Sequence, residues 1–461
     1  MKYLTIFTLG LLLSLYLPES QPQQTQLKVA VLPYQNLSSA QKNLDIALIK
    51  SFAHQLNYEL QLITVETVDE IVNLLQKQKI HFTVIHNPLH QHENLRLTPF
   101  YQQLEHYLVH HENNKFIPKN INLLTEEHLI YTSQHPINSK ILNQLKQQQP
   151  KLDWQTSNIA HEHLLTQLNE QHIILTDSTQ LGKIRHFYPQ LSIAMTVSQQ
   201  NVAWAFSRQT QDDSLYQAAV QFIEQSKYNG LLEKFKQYYY GELTQADDFN
   251  AFNINSFYQN LSQRLPLYRH WFEQFALTND IDWRLLAAVG YEESLWNPQA
   301  VSKTGVRGLM MLTEDTATYL DVENREDPLQ SIEGGARYLK ILRSRLPDDI
   351  TEPDRTWFML AAYNLGFGHV MDARQLTEKA GFNPNYWGVV KKYILLLSKR
   401  RWYKKTRYGK ARGYEAVEYV RRIRRYYAML KFVDQQAMPQ QVIYLHNGYK
   451  SISYKPHIVT W

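Results

Sequence analysis

An α/β domain followed by a mainly helical one is the architecture this sequence predicts, and three observations predict it. Over residues 27–243, compact apolar runs alternate with helically spaced stretches. The polar, Asn-rich stretch from Asp247 to Ser256 breaks that rhythm. Past Pro266 almost every segment repeats at the helical period. The expected division is a first domain over 27–243, a linker over 244–266, a helical domain over 267–435 and a tail over 436–461.

The elements follow in order. Leu27 to Leu32 is a short apolar run and reads as a buried first strand. Asn43 to Leu56 carries Leu44, Ala47, Leu48 and Phe52 at helical spacing. Tyr58 to Thr64 alternates as a strand, Val68 to Gln78 is helical, and His81 to Ile85 returns to strand. Strand–helix alternation of this kind predicts parallel pairing. The pattern recurs at His172 to Thr176 and Ala203 to Ser207, and residues 214–239 read as a helix pair. At the far end, helical signal fades after Asp434. Asn447-Gly448, between alternating apolar residues, reads as a hairpin turn.

Composition narrows the function classes. The chain has 461 residues, 44% hydrophobic and 20% charged, a globular mixture. It contains no cysteine, which excludes disulfides, thiolate catalysis and Cys-ligated metal. Lys2 followed by the apolar run Leu4 to Leu17 resembles an export signal or anchor over residues 1–20, and is shorter than a spanning helix requires. The remainder reads as soluble and extracytoplasmic. His161-Glu162-His163 lacks the spacing of a helical zinc site, so neither metal nor cofactor is expected. Lys and Arg crowd residues 391–425, a face suited to anionic lipid or to carboxylates; the export signal argues against nucleic acid.

The chemistry concentrates after Asp282, which can cap a helix beginning at Trp283. Leu286, Val289 and Glu293 then share one helix face. A carboxylate on an apolar face loses solvent and its pKa rises, which suits an acid that must hold its proton near neutrality. Spacing alone does not choose between Glu292 and Glu293.

The residues that follow add a longer pattern. Glu293-Ser294 precedes Trp296-Asn297-Pro298, Ala300, Ser302, Gly305 and Gly308-Leu309-Met310; later come Ala362-Tyr363-Asn364-Leu365-Gly366 and Tyr419-Val420. In order and spacing this resembles the lytic transglycosylases with a goose-type-lysozyme-like helical domain, over residues 267–430. The resemblance implies non-hydrolytic cleavage of the β-1,4 bond between N-acetylmuramic acid and N-acetylglucosamine in peptidoglycan. It singles out Glu293 as the one acid/base and implies substrate contacts for Ser302, Met310, Tyr363 and Asn364. Gly305 and Gly308 are expected to serve a tight turn. Where the family has Gln after Leu-Met, this chain has Met311. That departure resembles the membrane-bound lytic murein transglycosylase F branch, in which a two-lobed periplasmic-binding-protein-like α/β domain precedes the mainly α lysozyme-like one. Thr98-Pro99-Phe100-Tyr101 fits the same branch. Amino-acid-binding relatives of that domain use an Arg to hold the ligand carboxylate, and Arg96 is the nearest candidate here, so residues 27–243 are expected to bind either a peptide or muropeptide fragment or nothing. The branch also implies a periplasmic location with peripheral attachment to the outer membrane. A same-fold hydrolase and a wall-docking ligand sensor are the alternatives, separable by the reaction products.

Overall fold

A computed structural model describes residues 25–32, 44–86, 94–111, 114, 117–124, 130–133, 136–157, 172–184, 191–240 and 251–444. The expected export segment over residues 1–20, His161-Glu162-His163 and the expected turn at Asn447-Gly448 lie outside these residues. The chain divides into two compact units, 1–84 with 93–96 and 205–213, and 85–92 with 97–204 and 214–461.

The first unit is a small parallel α/β layer. Strands β1 (Gln26–Val31), β2 (Glu59–Thr64) and β3 (Phe82–His86) alternate with helices α1 (Leu44–Gln55) and α2 (Val68–Gln76). β1 pairs in parallel with β2, Gln26 opposite Glu59 through Val31 opposite Thr64, and with β3, Val29 opposite Phe82. All five elements match the sequence reading within two residues at either end. Burial explains why: Leu27, Val29, Ala30 and Phe52 are fully buried, so their periodicity carries the signal. Phe82 packs edge-on to Phe52 and stacks on Phe206. Thr67 caps α2 by accepting from the Glu70 amide. Arg96 is engaged here by Asp213 in a two-pronged ion pair, one bond measuring 2.9 Å. Its charge is thus already matched within the chain.

The second unit opens with a mixed sheet, and here parallel pairing alone does not hold. After the short β4 (Leu95–Leu97), the ten-residue β5 (Gln102–His111) pairs antiparallel with both β8 (Ile173–Asp177) and the long β9 (Leu191–Ser207). β6 (Ile130–Ser133) pairs in parallel with β8 and with β7 (Trp154–Ser157). Helix α3 (Pro136–Gln148) buries Ile141, Leu142 and Leu145 against this sheet. Short α4 (Ser178–Ile184) follows β8. The expected helix pair at 214–239 is α5 (Ser214–Asn229) and α6 (Leu231–Tyr240), broken at Gly230 with φ 90°.

Residues 241–250 lie outside the described set. Within the rest of the expected linker, α7 (Ala251–Gln263) is helical, and its Phe257 is fully buried in the helical core. A linker rich in Asn can still close a helix once one aromatic face finds a core. The helical array continues through α8 (Leu265–Thr278), α9 (Trp283–Ser294), α10 (Glu314–Tyr319), α11 (Pro328–Ser344), α12 (Asp354–Leu365), α13 (Phe367–Lys379), α14 (Trp387–Leu396), α15 (Arg400–Tyr403) and α16 (Gly413–Tyr444). One apolar core unites them, from Phe257 to Leu430. α16 runs ten residues beyond the point where the sequence signal fades.

Helix α6 packs on this array as well. Lys234 reaches the buried Asp354 at the start of α12, Nζ to Oδ2 3.0 Å, while Oδ1 of Asp354 accepts from the Trp387 amide. Tyr228 stacks on Phe382.

Candidate active site

Helix α9 carries the acidic pair, and both of its ends are pinned. At the start, Asp282 accepts from the Arg284 amide at 3.0 Å, as its position in the sequence predicts. Its other oxygen accepts from the Tyr427 hydroxyl at 2.8 Å, which ties α9 to α16. At the end, Ser294 Oγ donates to the Gly290 carbonyl at 3.0 Å, and Leu295 closes the helix with φ 56°. Trp296 also has positive φ, is fully buried, and donates its indole N–H to the Ala287 carbonyl at 2.8 Å. Two consecutive bulky residues in the left-handed region are strained unless packing holds them. Here Tyr291 and Phe257 supply that packing against Trp296. The acid therefore stands on a stiff, sharply terminated helix end.

Neighbouring carboxyls meet opposite environments. Glu292 receives a fork from Arg422 on α16, Nε to Oε1 2.9 Å and Nη2 to Oε1 2.6 Å. Burial pushes the Glu292 carboxyl up while Arg422 pulls against it. Burial works against the Arg422 charge, but its bonds to Glu292 outweigh that and raise it, and the fork has the geometry of an ion pair. Among the described residues, no cation pairs with Glu293. Its Oε1 accepts one bond, 2.5 Å long, from the Tyr419 hydroxyl of α16. Burial, with a smaller contribution from the Glu292 charge, lifts its pKa to about 8 against the opposing pull of Tyr419. At pH 7 such a group is about 90% protonated.

Two phenols complete the cluster. Tyr363, one residue from the exposed Asn364 near the end of α12, donates to the Met310 carbonyl at 2.8 Å and rests against Tyr338. Burial and the Glu293 charge hold both Tyr363 and Tyr419 well above the ordinary tyrosine range. Both stay protonated and act as donors.

The loop after α9 turns through Ser302, Gly305 and Gly308. Ser302 Oγ accepts from the Val306 amide at 3.0 Å, and its N–H donates to the Val306 carbonyl at 2.8 Å. Gly305 and Gly308 have positive φ. At Gly308 a Cβ would also stand 1.8 Å from the Arg325 carbonyl oxygen, so both backbone shape and space require glycine.

One expected residue is placed differently. The Met310 side chain is fully buried in the helical core, against Gly290 and Gly335, and does not line a groove. Packing density claims the thioether, and only its backbone carbonyl faces Tyr363. Met311, where the family pattern has Gln, sits half-buried with φ 47°. Tyr419 belongs to the sequence pattern, but nothing in its spacing announces a bond to a carboxyl 126 residues away. Arg422 is hidden for the same reason inside a generally basic run.

Residues 270–385 match the family model of the transglycosylase SLT domain. The chain is 37% identical over 421 residues to membrane-bound lytic murein transglycosylase F 1 of Alkalilimnicola ehrlichii, covering 90% of this chain and 84% of that one. It is 41% identical over 397 residues to membrane-bound lytic murein transglycosylase F of Ectopseudomonas mendocina, covering 84% and 80%. Among solved structures, the ligand-binding core of GluR0 with L-glutamate aligns at 12% identity over 48% of this chain and all of that one, with a TM-score of 0.38.

Proposed function

Because the chain belongs to the membrane-bound lytic murein transglycosylase F family, we infer that it degrades murein with Glu293 as its one catalytic acid and base. The observation that carries the assignment is the contrast at 292 and 293. Glu292 is matched by a guanidinium, whereas Glu293 is a desolvated carboxyl whose hydrogen bond comes from a neutral phenol.

The chemistry follows from that contrast. Tyr419 occupies Oε1 of Glu293, leaving Oε2 to carry the proton. Glu293 gives this proton to the oxygen joining muramic acid C1 to glucosamine C4. The C1–O bond breaks and the glucosamine leaves with a free 4-hydroxyl. The muramoyl 6-hydroxyl attacks C1, and its proton passes to the Glu293 carboxylate. A 1,6-anhydro ring forms, the acid is restored, and no water is consumed. A second free carboxylate, which glycoside hydrolysis by water ordinarily uses, has no step to perform here.

Tyr363 and Tyr419 keep the acid dry and oriented. Asn364, exposed beside Tyr363, faces the glycan at the cleft floor. The Ser302 hydroxyl, held by the Val306 amide, is placed to meet the muramoyl group. Met310 contributes through the carbonyl that anchors Tyr363.

Residues 27–243 are read as a solute-binding-like domain for a peptide or muropeptide, and 267–435 as the catalytic domain. The chain is placed in the periplasm, attached peripherally to the outer membrane. The apolar segment at Leu4 to Leu17 and the relatives' designation as membrane-bound support this. No helix among the described residues is long and apolar enough to cross a membrane.

Digestion of purified sacculi, followed by mass spectrometry, tests the reaction. Anhydromuramoyl ends that disappear in Glu293→Gln are expected. Reducing muramoyl ends would assign a hydrolase instead.

A further inference from the structure

We propose that the basic stretch from Lys399 to Arg412 is a second substrate-binding surface, one that holds the carboxylate-bearing peptide stems of the murein strand beside the groove. The proposal rests on the murein-degrading reading and adds to it a class of contact outside the reaction centre.

Charge is the first observation. From Trp387 to Tyr414 there are ten Lys and Arg and no Asp or Glu. Lys399, Arg400, Arg401, Lys404, Arg407 and Lys410 are all exposed. None of these six forms an ion pair with an acid among the described residues. Arg412 makes one exposed contact with Glu415 at 3.3 Å. Cations this close repel one another, and an anion bound among them removes that repulsion.

Fixed placement is the second observation. The buried Asp372 of α13 accepts from the backbone N–H groups of Arg407 and Tyr408, at 3.1 and 2.8 Å. Its carboxylate is therefore turned to the loop's backbone. The Tyr408 ring lies directly on Gly368: a Cβ there would come within 2.7 Å of three ring carbons. At the other end, the Ala411 amide donates to the Leu397 carbonyl at 3.2 Å. The loop is preformed, so an anion binding there does not have to order it first.

Closeness to Tyr363 and Asn364 is the third. Gly368 follows Asn364 by four residues, at most about 14 Å of chain. The loop's Tyr408 thus rests on the start of α13, the helix that directly follows the one carrying Tyr363 and Asn364. Tyr408, half-exposed on that loop, offers an aromatic face for a sugar or peptide. This position favours the anionic part of the substrate over a bilayer as the occupant.

The test compares binding with and without stems, using full-length protein carrying Glu293→Gln so that no cleavage intervenes. Cosedimentation is measured with intact sacculi and with sacculi stripped of peptides by an amidase. Exposed charge contacts are individually weak and salt-sensitive, so three are removed together: Lys404→Gln, Arg407→Gln and Lys410→Gln. The triple variant is expected to bind intact sacculi about tenfold more weakly at 0.15 M salt. It should bind stripped glycan as before, and the difference should vanish near 1 M salt. Equal loss on both substrates, or no loss on either, overturns the proposal. So does a loss confined to vesicles of phosphatidylglycerol. Failure of the lytic reading shows separately, as absent anhydro ends from the wild-type protein, and leaves this comparison intact.

Discussion

Replacing Glu293 with Gln removes the carboxyl's ionisation while keeping its shape and its acceptor for Tyr419. The folded carboxyl has a pKa of about 8, against 4.5 for an unperturbed one. Raised above its unfolded value, it costs the fold nothing below pH 4.5. It withdraws stability as pH climbs from 4.5 to 8, because the unfolded chain ionises freely and the folded one resists. At about 1.4 kcal/mol per unit, the loss by pH 7 is roughly 3 kcal/mol. Solvent reaching a half-buried side chain reduces this to about 2–3 kcal/mol. Glu293→Gln is therefore expected to match the wild type near pH 4 and to exceed it by about 2–3 kcal/mol at pH 7. For a transition of this size, 1 kcal/mol moves Tm by about 2–4 °C, so the gap at pH 7 is about 4–12 °C. Scanning calorimetry on the full-length pair at several pH values reads it. A gap independent of pH would refute the reasoning, since it would mean the carboxyl titrates alike in both states.

Three further outcomes follow from the same geometry. Tyr419→Phe removes the one bond that lowers the Glu293 pKa, so the alkaline limb of activity should move upward while the rate falls about tenfold; a downward shift would contradict the donor role. Arg422→Met leaves Glu292, whose side chain is only 10% exposed, without its cation. Because the guanidinium itself is partly solvated, a loss of about 1–3 kcal/mol is expected in thermal unfolding, and no loss would show the pair to be ornamental. Met310→Ala should cost about 2–5 kcal/mol through a core cavity, with KM changed far less than stability; a selective rise in KM would return the side chain to the groove.

Much of the architecture was legible because burial writes itself into periodicity. β1, α1 and β2 declare themselves through residues such as Val29, Leu48 and Leu62 at their proper spacings. The Asp282 cap declares itself by its position before Trp283. The antiparallel partners of β5 did not, since Gln102–His111 carries four buried polar side chains that blur the strand signal. The same limit applies at the site. Periodicity placed both Glu292 and Glu293 at one helix end and stopped there. What separates them is Arg422 and Tyr419, side chains on a helix more than 120 residues away. Met310 shows the converse. Its position in the family pattern was readable, but the direction of its side chain depends on the space beside Gly290 and Gly335, which no local pattern encodes.

The central claim is that the protonated form of Glu293 begins the reaction. The pH dependence of kcat for anhydro-product formation from sacculi tests it most directly. A plateau from about pH 5 to 7 is expected, followed by a tenfold fall per unit above about 8. A rate that instead rises as pH passes 4.5 would assign the working form to the carboxylate and contradict the account.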